Sequence, residues 1–135
     1  MERGILLLLH RFRLHIEGTV SKALSSFQVH NLLRNLSSVS PGEEETEILL
    51  SSENIVIKRI VSGAQVITPS YCQSEDEWIL LLAGTALINI DGKDIHLTPG
   101  DTLFIPRETV HTVLDTAENT VWLAIHLLNQ EGACP

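Results

Sequence analysis

Residues Arg11–Glu17 alternate without a break, with Phe12, Leu14 and Ile16 on one face and Arg11, Arg13, His15 and Glu17 on the other. A period of two predicts a half-buried strand, which Gly18 would end. From Val20 to Leu36 the spacing changes. Val29, Leu32, Leu33 and Leu36 recur at helical intervals, with Leu24 and Phe27 about a turn before them. This predicts a short amphipathic helix. Ser37–Gly42 breaks it. The acidic run that follows, EEETE at 43–47, reads as a solvated face or the start of a helix.

Beyond Ser51 the pattern is that of strands. Ile55–Val61 is a β-branched run interrupted by Lys58 and Arg59, and Ile79–Ile90 divides into two strands at Gly84. Asp91-Gly92 signals a tight turn. Ile95–Leu97, Leu103–Ile105, Val110–Leu114 and Thr120–Leu128 are further strands, with turns at 98–101 and 115–119. Short strands at close spacing with turn chemistry between them predict an all-β sandwich or barrel.

Composition narrows the function classes. A chain of 135 residues with 44% apolar residues is expected to fold as one domain around a single core. A net charge of −8 argues against a nucleic-acid track and against an anionic membrane surface. No apolar run is long enough to span a bilayer, and Ile5–Leu9 is too short for an export signal. The chain therefore reads as cytoplasmic, with Cys72 and Cys134 as reduced thiols.

Candidate chemistry lies in two spacings. Six residues separate Glu77 from Gly84; five separate Gly100 from Pro106, and four separate Pro106 from His111. Residues of about 45–128 thereby resemble a cupin, a double-stranded β-helix or jelly-roll barrel. The cupin's second motif, G-x5-P-x-G-x2-H-x3-N, is met by Gly100, Pro106 and His111, with Glu108 at the inner glycine and Asp115 at the asparagine. Its first motif, H-x-H-x3-4-E-x6-G, is met by Glu77 and Gly84. The two histidines are absent, their positions falling on Tyr71 and Gln73 or on Ser70 and Cys72. Arg59–Ser62, Tyr71 and Gln73 before Asp76–Trp78, and Thr120–His126 resemble one branch of small single-domain bacterial cupins.

The resemblance implies residues 1–42 as an extension of strand and helix, 43–130 as the barrel domain and 131–135 as a tail. It implies a small-molecule ligand in the barrel and a weakly held divalent metal (Zn, Mn, Fe or Ni). Glu77 and His111 are the implied metal ligands, joined by Gln73 and His126. His126 shares a face with Trp122 and Ala124 by period two. Tyr71, Arg59 and Trp122 are candidate pocket residues. Period two places one of Lys58 and Arg59 inside, and Arg59 there would favour a carboxylate or phosphate. The activity is open: a metal-dependent dioxygenase, isomerase or decarboxylase, or a metal-free ligand-binding or sensor protein. A homodimer is expected, with the strand at Arg11–Glu17 covering a sheet edge of a second subunit.

Overall fold

The structure is a computed structural model that describes residues 12–15 and 27–128. The described residues form nine strands. They are β1 (Phe12–His15), β2 (Glu44–Ser51), β3 (Ile55–Ser62), β4 (Asp76–Ala83), β5 (Ala86–Ile90), β6 (Lys93–Leu97), β7 (Thr102–Ile105), β8 (His111–Thr116) and β9 (Thr120–Leu127). One sheet runs β1-β2-β3-β9-β4-β7 and the other β6-β5-β8. All pairings are antiparallel except β1 on β2.

The core lies between the sheets. Ile79, Leu81, Ile105, Trp122 and Ala124 from the larger sheet pack with Ala86, Ile88 and Leu97 from the smaller. These are the alternating positions of their strands, so each strand gives one face to the interior and the other outward. The Asp91-Gly92 hairpin turn forms as expected. Both residues have left-handed φ, 48° and 79°, which is the backbone a two-residue turn needs.

The segment between β3 and β4 closes the barrel side. Gln65 N and Thr68 N donate to the carbonyls of Thr116 and Val113, and Tyr71 exchanges both backbone bonds with His111. This irregular run covers the β8 edge and delivers Tyr71 and Gln73 to the same end of the barrel as His111.

Two expectations change. The acidic run is neither a helix start nor a solvated face. Its residues from Glu44 on begin β2, with Glu44, Thr46 and Glu47 buried. Of the proposed helix over 20–36, residues 27–36 form a turn and not a helix; the rest lies outside the described residues. Asn31 explains this locally: its Oδ1 accepts from Leu33 N, its carbonyl accepts from Arg34 N, and Asn35 adopts φ 54°. A side chain that satisfies the backbone in this way competes with helical bonding. The early strand pairs with β2 of its own chain. Its residues beyond Phe12–His15 lie outside the described residues.

Candidate functional site

A cavity of about 100 Å³ opens inside the barrel. Its walls are apolar: Ile48, Ile60, Ile79, Ile88, Ile105 and Val113, with Trp122 and Ala124. Its polar lining comes from Gln73, Glu77, His111, His126, Tyr71 and Lys58 toward one end, with Glu44, Thr46 and Thr68 elsewhere. Sheet register explains the polar grouping. Glu77 on β4 pairs with His126 on β9, which pairs in turn with Val56 on β3. Lys58 stands one inward position along from Val56, opposite Ala124.

These side chains form a connected series. Gln73 Nε2 donates to Glu77 Oε2 at 2.8 Å and lies 3.4 Å from His111 Nε2. His111 Nδ1 is 3.0 Å from the Thr109 carbonyl, which can only accept. The Nδ1 proton is therefore donated there, leaving Nε2 as the acceptor for the second amide hydrogen of Gln73. The opposite amide orientation would set the Gln73 oxygen against a carboxylate oxygen. His126 lies between two carboxylates, with Nδ1 3.6 Å from Glu75 Oε1 and Nε2 3.7 Å from Glu77 Oε2. The ring of Tyr71 rests against that of His111 at 5.9 Å between centroids.

Electrostatics follow from burial. The His126 imidazole, 3.6 Å away, holds the Glu75 carboxyl below its ordinary range, against the opposing effect of burial. Burial pulls the Lys58 ammonium down from its ordinary value, while Glu77 and Glu75 push it back up. At Glu44, burial raises the carboxyl, and a hydrogen bond from the Ser62 hydroxyl partly opposes it. Ser62 in turn accepts the Trp122 indole N–H at 2.9 Å.

Comparison with known proteins agrees with this architecture. The sequence profile of the cupin domain matches residues 57–126, more than half of the chain. The chain belongs to the cupin family. Solved structures resemble this cupin as well. A candidate mannose-6-phosphate isomerase from Ralstonia eutropha JMP134 is 33% identical, with 74% of this chain and 97% of that one covered and a TM-score of 0.69. A cupin superfamily protein from Desulfitobacterium hafniense DCB-2 shares 21% identity over 82% of this chain and 100% of that one, with a TM-score of 0.68. A predicted oxalate decarboxylase from Thermotoga maritima shares 23% identity over 64% and 82%, with a TM-score of 0.59. No curated protein sequence is significantly similar to the chain.

The cupin barrel brings together Glu77, His111, Gln73 and His126 and sets Tyr71 and Trp122 in the same cavity. Arg59 is not there. It points outward, where Nη2 pairs with Glu47 Oε2 at 2.5 Å and Nη1 donates to the carbonyls of Leu32 and Arg34. Alternation along β3 puts its neighbour Lys58 inside instead.

The donor set does not fit a divalent ion. Gln73 engages His111 Nε2, the nitrogen such an ion would use, and one of the two carboxylate oxygens of Glu77. Among the described residues no three His, Cys, Asp or Glu side chains converge closely enough to hold one ion. A lysine also lines the same cavity.

Sequence reasoning missed Glu44 and Glu75 and left Lys58 open. Glu44 has a signal in retrospect, since Glu44, Thr46 and Ile48 alternate, but neighbouring acids mask it. Glu75 precedes the strand, so period two says nothing of it. Cys72, expected as a reduced thiol, is not free; Cys134 lies outside the described residues.

Proposed function

We propose that this cupin binds a small organic molecule inside the barrel, with an apolar body and an oxygen-bearing end, and does so without a resident metal ion. The carrying observation is a cavity with mostly apolar walls and a cluster of donors and acceptors around Gln73. Pockets for drug-sized ligands start at about 300 Å³, and a dry cavity of ~150 Å³ accommodates benzene. A cavity of about 100 Å³ therefore suits a ligand of few heavy atoms. Such a ligand meets the amide, imidazole, phenol and ammonium groups at one end and the isoleucine walls at the other.

The test is a calorimetric and thermal-shift panel of small carboxylic acids, alcohols and polyols, run on the wild type and on Ala124→Leu. Ala124 is fully buried and lines the cavity, so leucine there occupies the space. Compounds that bind the wild type should lose their shift in the variant. A panel with no binder, or shifts that survive Ala124→Leu, would overturn the reading. Metal analysis of the wild type and His111→Ala checks the metal-free part: stoichiometric metal that disappears in the variant would count against it.

A second reading, a sugar isomerase, is supported by the 33% identity to the Ralstonia protein. The cavity volume and the single lysine in its lining favour a smaller ligand than a sugar phosphate. Among the described residues no helix is long and apolar enough to cross a membrane. The cytoplasmic location stays a proposal.

A further inference from the structure

Lys58 is 4% exposed, as deeply buried as the apolar core. Glu77 lines the cavity with it, and Glu75 lies just behind, 3.6 Å from the cavity-lining His126; each carboxylate has a side chain 13% exposed. Buried carboxylates need a nearby positive charge, because desolvation of an uncompensated ion is costly. In a metal-holding site the metal supplies that charge. Here Lys58 is the lysine or arginine that lines the cavity among the described residues, and Glu77 and then Glu75 act on it. No carboxylate lies within salt-bridge distance of its ammonium among the described residues, so the attraction acts across the cavity rather than by contact. Register provides the room. Lys58 pairs across the sheet with Ala124, whose methyl group leaves the space above it open.

We propose that Lys58 is the resident cation of this cavity: it takes the electrostatic place of a metal ion opposite Glu77 and Glu75, and its charge keeps a divalent ion out. The proposal rests on the metal-free reading above and goes beyond it by naming the residue responsible. Gln73 engages His111 Nε2 and one oxygen of Glu77, and Lys58 supplies the charge.

The experiment compares zinc binding by titration calorimetry for the wild type, Gln73→His, and Gln73→His combined with Lys58→Met. Histidine at 73 frees the Glu77 and His111 lone pairs and adds an imidazole, while methionine keeps the length of the lysine stem without its charge. The double variant should bind about one equivalent of zinc at least roughly tenfold more tightly than Gln73→His, since a fixed like charge in a poorly screened cavity is removed. Lys58→Gln provides the same comparison with a polar stem, and circular dichroism verifies the fold of each variant. Equal affinity with and without Lys58, no zinc in the double variant, or stoichiometric zinc in the wild type would each overturn the proposal. A ligand panel without binders would remove the small-molecule reading and leave this comparison intact.

Discussion

Glu108 occupies a left-handed backbone position, φ 62°, and its N–H donates to the Gln73 carbonyl at 2.7 Å. This is the inner glycine of the cupin's second motif, and the conformation explains why that motif uses glycine: a Cβ is unfavourable there. Glu108→Gly should therefore stabilise the fold by about 0.5 to 1 kcal/mol, the left-handed penalty less the added entropy of glycine in the unfolded chain. Urea denaturation measures it, and a destabilised variant would contradict the account. Glu44 makes a pH-dependent prediction. Its carboxyl is raised above its ordinary 4.5 by burial, so the folded state holds that proton more tightly than the unfolded chain. Its contribution is full below 4.5 and is lost as pH rises through the raised value. Glu75 behaves oppositely, its contribution being lost as pH falls below 4.5 through its lowered value. Glu44→Gln should flatten the decline on the alkaline side of 4.5 in a series of urea midpoints and leave the acid limb in place. Both residues show the limit of the sequence at this scale. The motif located position 108 and Glu77, but nothing in a run of acids tells which carboxyl will be buried.

Elements were more legible than residues. From β3 onward each expected strand forms within a few residues of its predicted span, because alternation and turn chemistry agree there. The departures occur where local signals compete: the EEETE run hides the alternation of β2 behind charge, and Asn31 turns the chain where leucine spacing suggested a helix. Gly84 illustrates a junction the sequence did mark. It divides β4 from β5 with φ 80°, and a Cβ there would lie 2.3 Å from Thr120 Oγ1 and 2.6 Å from Thr120 Cα. Thr120 is held in place, its hydroxyl donating to the carbonyls of Ala117 and Thr85. The neighbour cannot yield, so Gly84→Ala should cost about 3 kcal/mol or more. A drop in thermal midpoint of only a degree or two would show that the β4–β5 junction relaxes after all. The site's assembly follows from the same elements. Glu77 and His126 meet because β4 and β9 are neighbours, and that pairing between distant segments was invisible to periodicity.

For the molecule as a whole, β1 covers β2 in its own chain. The larger sheet still ends at β7, where Phe104 is half exposed. We propose a homodimer through that edge: light scattering at micromolar concentration should return twice the chain mass, and Phe104→Glu should return it once. A wild type with the mass of a single chain would end the idea. The position of Trp122 has a practical consequence. Its indole forms part of the cavity wall, whereas Trp78, its fellow tryptophan, lies on β4 outside the cavity lining. Replacing Trp78 with phenylalanine would leave one tryptophan, tethered to Ser62 and facing whatever enters, so the barrel carries its own optical gauge of occupancy.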